Sequence, residues 1–297
     1  MKYVSYLSFR LLVFLFSLLP FSLIYVLANG LAWLFDKVLG YRRNVIEKNI
    51  EIAFPEKSPG EREAILKQFY QNLADITLES IKGLSISQEE LTKRFRVINP
   101  SILDDHYRQN QSILLIGGHF GNWEWGAMSV NIFFQHTVLG IFKPLKNEYI
   151  NKYVTDLRGQ WDIVLVPVKE TRNYVEAYVD QASIIAIVAD QTPSNLITTI
   201  WVDFLGKVSA FPPGPELIAR AYNYPVFCYA IRRRARGYYE MELEPLVSAP
   251  NTLPEHELTH LFAKKIEQQI QEMPDNWLWS HKRWKHQKEP NAPSVYQ

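Results

Sequence analysis

The 297-residue chain has a single cysteine, Cys228, so an internal disulfide is excluded. That cysteine sits in the apolar run "PVFCYAI" and reads as a buried, inert thiol that fits a reducing compartment. Charge of one sign is also lacking. Lys+Arg is 32 against Asp+Glu of 31, a formal net charge of +1, which argues against a dedicated nucleic-acid binder with its clear basic excess. No Gly-x-Ser-x-Gly elbow presents a serine nucleophile. No His-Glu-x-x-His occurs, and His106, His136, His256, His260, His281 and His286 follow no zinc-ligand spacing. The motifs therefore imply no metal and no redox cofactor. Internal repeats and low-complexity tracts are missing too.

What is present is unevenly distributed. Aromatics make up 13 % of the chain, with 8 Trp and 16 Tyr, residues that suit apolar pockets and membrane interfaces. "LLVFLFSLLPFSLIYVLA", residues 11–28, carries no charge, and the uncharged stretch continues to Phe35. At helical rise it is long enough to cross most of a bilayer's hydrocarbon layer, with a kink at Pro20. A cleaved signal peptide fits less well, because the run exceeds a usual signal core and no small-x-small site closes it. A buried core helix would be unusually apolar on all sides. A retained membrane anchor over 1–36 is the preferred reading. Lys2 and Arg10 precede the run and Lys37, Arg42 and Arg43 follow it, a slight excess that puts the C-terminal side in the cytoplasm.

Residues 37–111 read as a helical region. Apolar residues recur at helical spacing on both sides of "PEKSPGE", where Ser58 is an expected N-cap for a helix opened by Pro59. "ISQEELTKRF" adds a short capped helix. From 112 to 297 the texture is that of an α/β core. "SILLIGG", "TVLGIFK", "DIVLVPV", "SIIAIVAD" and "PVFCYAI" are short apolar runs typical of strands buried on both faces, and helical stretches separate several of them. The alternation predicts a mixed, largely parallel sheet flanked by helices. "GYYEMELEPLV" predicts a late antiparallel strand, and "EHELTHLFAKKIEQQIQEM" a final amphipathic helix.

The first of those strands carries the chemistry. In "ILLIGGHFGNWEWG" an apolar run ends in Gly117 and Gly118, followed by His119 and, five residues on, Glu124. Ligands of open α/β sheets bind beyond the carboxyl ends of the strands. The glycines allow a sharp turn and a close approach of backbone amides to a substrate. The helix beginning at "NWEWGA" directs its first N–H groups back toward the histidine, a place for developing negative charge. Positions five apart on one helix are rotated by about 500°, so His119 and Glu124 meet only if the histidine lies in the turn before the helix. There Glu124 would accept the Nδ1–H of His119 and leave Nε2 as a base. With no enzyme nucleophile in sight, the attacking group belongs to a substrate. A base that activates a substrate hydroxyl toward an acyl carbonyl performs acyl transfer without a covalent enzyme intermediate. Against this stands the plain alternative of a structural histidine near an acid.

"GGHFGNWEW" resembles the H-x-x-x-x-E motif of the bacterial late acyltransferases of lipid A biosynthesis, relatives of the glycerolipid acyltransferases. The likeness extends through "FKPLKNEYINKYVTDLRG", "VPVKETRNYVEAYVDQASIIAIVADQTP", "WVDFLGKVSAFPPGPELIARAYNYPV" and "PDNWLWSHKRWK", so it covers essentially the whole chain. It implies a glycerolipid-acyltransferase-like fold, His119 as general base and Glu124 as its orienting partner. It also implies acyl-acyl-carrier protein as donor and a hydroxyl on a 3-hydroxyacyl chain of a lipid A precursor as acceptor. Arg158 matches an arginine expected to bind substrate or stabilise the oxyanion, a role suited to a permanently charged fork; the alternative is a surface cation on a helix. "FKP" departs from the Tyr-Arg-Pro often found there, so Lys143 keeps the charge without bidentate geometry. Asp190 and Gln191, in "ADQTP", stand at the same sheet edge with two roles open: contact with headgroup atoms or bracing of Arg158, or a cap on the next element. Phe211 and its neighbouring prolines are left between channel lining and packing. "NWLWSHKRWK", residues 276–285, reads as an interfacial foot of tryptophan and cations, with a packed C-terminal segment as the alternative.

The reading that results is an O-acyltransferase bound to the bacterial inner membrane, its catalytic domain on the cytoplasmic side, with a long apolar groove for the acyl chain. Its partners are an acyl-carrier-protein donor, a lipid acceptor and the membrane, with no nucleic acid; a monomer is the default. A lysophospholipid, aminolipid or glycolipid O-acyltransferase would use the same His/Glu chemistry. A noncatalytic membrane lipid-binding protein is the rival of another class.

Overall fold

A computed structural model describes residues 1–288. The N-terminal apolar run is helical but not one helix. Helix α1 (Lys2–Leu18) ends at Leu19, which is extended (φ −81°, ψ 133°), and Pro20 (φ −68°, ψ 154°) caps α2 (Phe21–Trp33). The expected kink is thus a break. Proline lacks the N–H that would continue α1, and its ring disfavours helical φ/ψ in the residue before it. A short π-helical turn, Leu34–Val38, extends α2, and Phe21–Val38 is the one stretch among the described residues long and apolar enough to cross a membrane by length and composition.

The helical region follows the expected pattern. Helix α3 (Arg43–Ala53) leads to α4 (Pro59–Gly83), which opens with Ser58 and Glu61 in a reciprocal capping box and Pro59 in its first turn. Ser87 caps α5 (Gln88–Arg94). Strand β1 (Phe95–Val97) and the short helix α6 (Asp104–Arg108) precede β2 (Ile113–Gly117).

Beyond β2 come α7 (Trp123–Phe133), β3 (Thr137–Phe142), α8 (Glu148–Arg158), β4 (Val164–Pro167), α9 (Thr171–Ala177) and β5 (Ser183–Val188). A two-stranded antiparallel hairpin, β6 (Ile200–Phe204) with β7 (Lys207–Phe211), stands apart. Helix α10 (Gly214–Tyr222), strands β8 (Val226–Ala235) and β9 (Tyr238–Val247) and helix α11 (Glu257–Glu272) complete the order. The main sheet has the order β1-β9-β8-β2-β5-β3-β4. Strands β8, β2, β5, β3 and β4 run parallel, and β9 is antiparallel to β8, as expected for a mixed, largely parallel sheet.

Because side chains alternate across a strand, β2 feeds two cores. Ile113 and Leu115 pack with Trp125 of α7 and Phe95 of β1, whereas Leu114 and Ile116 pack with Phe69, Phe262 and Trp277 on the opposite face. Every residue of β2 is buried. The C-terminal tryptophans face inward: Trp277 and Trp279 are buried and Trp284 is half-buried. Arg283 is buried too, with its guanidinium 4.3 Å from the ring centre of Phe211 and 5.1 Å from that of Phe204. The expected interfacial foot is therefore a packed strap, with only Lys282 and Lys285 of its cations exposed, and Phe211 serves packing. Residues 289–297 of the predicted C-terminal domain lie outside the described residues.

The glycine that ends β2 is required by crowding. A Cβ on Gly117 would lie 2.3–2.5 Å from atoms of the Tyr229 ring, which β8 holds buried beside it. Gly117→Ala should lose about 1–3 kcal/mol of stability through overpacking. Gly159→Ala, where nothing lies within 4 Å, should lose far less. Paired denaturant titrations of the two variants in detergent measure the difference.

Candidate active site

Strands β2 and β5 are parallel neighbours, with Gly117 opposite Val188, and the backbone N–H of Ala189 donates to the Gly117 carbonyl at 3.0 Å. Two residues past this last pair, His119 and Asp190 face each other. Asp190 is 1 % exposed and holds the histidine twice. Its Oδ2 accepts the His119 backbone N–H at 2.9 Å, and its Oδ1 lies 2.5 Å from Nδ1 of the ring. The indole Nε1–H of Trp277 donates to Oδ2 at 2.7 Å. Burial pushes the Asp190 carboxyl up, yet the charge and hydrogen bonds of His119 and the Trp277 indole outweigh it and hold the group below its ordinary range. An ionised Asp190 accepts from Nδ1–H of His119, the tautomer that in a neutral ring leaves Nε2 as the acceptor nitrogen. The side-chain amide of Gln191 reaches that Nε2 at 3.2 Å.

Glu124 is not the partner of His119. The histidine does lie in the turn before α7, as the spacing required, and Asn122 caps that helix by accepting the Trp125 N–H at 2.9 Å. However, Glu124 lies in the first turn of α7 and its carboxylate turns to the guanidinium of Arg158 at the end of α8. The two are each a little over a quarter exposed. Asp190 accordingly does not brace Arg158; Glu124 does. Gly117 and Gly118 serve approach rather than a turn, since neither has positive φ while Gly121 does (φ +50°). A Cβ on Gly118 would come within 3.0 Å of Asp190 Oδ2, so the missing side chain lets the carboxylate reach the loop. Lys143 is exposed in the loop after β3 and takes no part in the His119–Asp190 cluster.

Two cavities meet here. One is apolar, about 80 Å³, lined by residues including Trp123, Gly126, Gly140, Ala186, Met241 and Arg158. The small residues of β3, β5 and α7 carve it between helix and sheet. The other is an open, polar cleft of about 350 Å³, lined by residues including Arg42, Ser80, Trp123, Glu124, Gln191 and His281. Trp123 walls both, and its ring lies 5.2 Å from that of His119 at a steep angle. The arrangement places Nε2 of His119 behind Gln191 at the edge of a polar cleft, with the Glu124–Arg158 pair and the apolar slot sharing its Trp123 wall. Among the described residues no group of acids, histidines or cysteines is placed to hold a metal ion.

Sequence reasoning placed Glu124 and Asp190 here with their partners misassigned, and it missed Trp277. A usable signal existed for Asp190, since "SIIAIVAD" ends its strand as "ILLIGGH" does. Trp277 arrives from a segment 87 residues further on, which no local pattern connects to the histidine.

A sequence model described as bacterial lipid A biosynthesis acyltransferase matches residues 2–286. The chain is 25 % identical over 281 residues to the lipid A biosynthesis lauroyltransferase of Escherichia coli K12, covering 94 % of this chain and 90 % of that one. It is 23 % identical to a lipid A biosynthesis acyltransferase of Haemophilus influenzae, covering 94 % of this chain and 89 % of the relative. A third relative, the E. coli K12 lipid A biosynthesis palmitoleoyltransferase, is 21 % identical over 268 residues, 90 % of this chain and 86 % of its own.

The strap over the site has its own pH dependence. The His281 ring accepts the Thr192 backbone N–H at 3.2 Å through Nε2, and burial lowers its pKa from 6.5 to about 4. Between those values the unfolded chain binds a proton that the folded chain refuses, so stability falls as pH drops through that window and is fully present above it. Melting temperature should decline from pH 7 to pH 5. His281→Gln, which keeps an acceptor without the titration, should show a shallower decline in the same thermal scans.

Proposed function

The chain belongs to the bacterial lipid A biosynthesis acyltransferase family and is an acyltransferase, and from that premise we propose how its site works and on what. The donor is an acyl-acyl-carrier protein thioester, and the acceptor is a hydroxyl of a lipid A precursor held at the cytoplasmic face of the inner membrane. The observation that carries this reading is the state of His119. Its Nδ1 is held by a buried carboxylate, and among the described residues its Nε2 has the Gln191 amide, at the edge of the polar cleft, as its hydrogen-bond partner.

In the proposed reaction the acceptor hydroxyl takes the place of the Gln191 amide at Nε2. The imidazole removes its proton as the oxygen attacks the thioester carbonyl, and Asp190 stabilises the imidazolium that forms. Arg158, aimed by Glu124 at the wall of the apolar slot, is the cation assigned to the developing oxyanion. Collapse of the tetrahedral intermediate breaks the C–S bond, and the departing thiolate recovers the proton from Nε2. The acyl tail enters the slot between α7 and the sheet. At about 80 Å³ the slot is well below the roughly 300–1,000 Å³ of typical ligand pockets. A long chain therefore displaces side chains, and Met128 and Met241 in its wall are flexible enough to give way.

Transfer of label from acyl-carrier protein to a panel of hydroxylated lipids tests the assignment. The lipid A precursor should be acylated, and transfer to a lysophospholipid alone would overturn the acceptor. Repeating the panel with acyl-coenzyme A separates the two donors. Within that assay His119→Ala and Asp190→Asn should each lower turnover roughly a hundredfold or more. Combined, they should cost little beyond either alone, because they act as one unit. Glu124→Gln should act together with Arg158 instead, and an additive cost on top of His119→Ala would separate the two pairs.

A further inference from the structure

We infer that α1 and α2 attach this enzyme to one leaflet by lying along it, and that neither crosses the bilayer. This rests on the membrane attachment proposed above and concerns its geometry. A spanning helix needs lipid or other membrane-embedded protein around it along its whole hydrocarbon length of about 30 Å. Helix α2 instead meets the catalytic domain at every turn. Ile24, Ala28 and Ala32 are buried, packing on Ala74 and Leu78 of α4. On the same face, Tyr25 donates its hydroxyl to Glu79 at 3.0 Å. Half-way along, the guanidinium of Arg236 donates to the Tyr25 carbonyl at 3.1 Å and to Asn29 Oδ1 at 2.8 Å while paired with Asp75. If α2 spanned, the β8–β9 hairpin that carries Arg236, together with Asp75 of α4, would sit near the membrane midplane, where charged groups are costly.

Helix α1 is fastened at both ends. The Asn147 side chain, at the start of α8, donates to the Lys2 carbonyl at 2.9 Å, and Lys2 pairs with Glu148. At the other end Lys82 of α4 donates to the last-turn carbonyls of Phe16 and Ser17 at 3.2 and 2.7 Å. Its inward stripe, Tyr6, Phe9, Val13 and Phe16, repeats every three to four residues. The chain's first residues therefore lie against the domain, not across a membrane from it. Beside Arg10, Ser5 and Ser8 of α1 and Asn29 of α2, what the two helices leave outward is mostly apolar: Val4, Leu11, Phe14 and Leu18 on α1, and Leu23, Val26 and Trp33 on α2, each more than a third exposed. Apolar area on this scale is unusual on a soluble surface. It suits a leaflet into which a helix sinks by its outer face alone.

Impermeant-maleimide labelling tests the arrangement in sealed, inverted vesicles from bacteria producing the full chain. The background carries Cys228→Ala. Lys2→Cys reports the N-terminus and Lys207→Cys, on the exposed hairpin, reports the domain. Equal labelling of both sites without detergent is expected. Lys2→Cys labelled only after detergent, with Lys207→Cys labelled before, would overturn the inference and leave membrane attachment standing. Protection of both sites until detergent keeps the one-leaflet arrangement and refutes the cytoplasmic placement of the domain. Failure of the protein to sediment with vesicles refutes membrane attachment and this inference together.

Discussion

The carboxylate of Asp190 is the constraint on which the site depends. It is fully buried, and such a charge persists only where every lone pair it must satisfy is met. The main chain of His119, its ring and the Trp277 indole meet them from two separate segments. One group thus orients the base, fixes the loop after β2 and clamps the C-terminal strap across the sheet. The strap is fastened again nearby. Leu278 donates its backbone N–H to the His119 carbonyl at 3.1 Å, and Gly121 donates to the Asn276 carbonyl at 3.1 Å. The geometry of the His119–Asp190 pair and C-terminal packing are one structure, which is why tryptophans of a composition suited to a membrane surface lie in the interior.

A second buried carboxyl ties the N-terminal helix α2 to the same loop. Glu79 of α4 is inaccessible to solvent, and burial outweighs its hydrogen bonds and pushes its pKa up. It accepts from Tyr25 of α2 at 3.0 Å, from Asn122 at 2.8 Å and from Tyr239 of β9 at 2.7 Å. Asn122 is also the cap that starts α7, so a single side chain connects the outer helix, the sheet and the turn holding His119. Leaving one buried polar group without a partner costs about 1–3 kcal/mol. The network therefore holds the outer face of α2 and the turn carrying His119 in one fixed relation.

Much of this was legible in the sequence because it is local. The five apolar strand runs, the N-cap at Ser58, the late antiparallel strand and the helix after His119 are all written in spacing and cap chemistry, which short windows read directly. What was not legible depends on register between distant segments. The expected His119–Glu124 pair followed from proximity along the chain, whereas the actual partner lies just past the end of β5, 71 residues away. The β6–β7 hairpin in "WVDFLGKVSAF" went unread because its turn, Leu205 (φ +53°) and Gly206 (φ +69°), puts a leucine where Asn or Asp usually signals a hairpin. Likewise "NWLWSHKRWK" has the composition of an interfacial segment, and only the partners of Trp277 and Arg283 reveal that it is packed.

The two acids beside His119 divide the work along lines that the fold itself draws. Glu124, in the first turn of α7, sits where the helix dipole favours a negative charge, and its neighbour across the cleft is the last residue of α8. A carboxylate so placed suits holding a guanidinium, and the five-residue interval from His119 turns it away from the ring. The ring's partner comes instead from sheet pairing. Since β2 and β5 run parallel with Gly117 opposite Val188, any residues the same short distance past those two ends must emerge side by side, and these are His119 and Asp190. Parallel register at the centre of the sheet, more than the short motif in which the histidine lies, is what brings acid and base together.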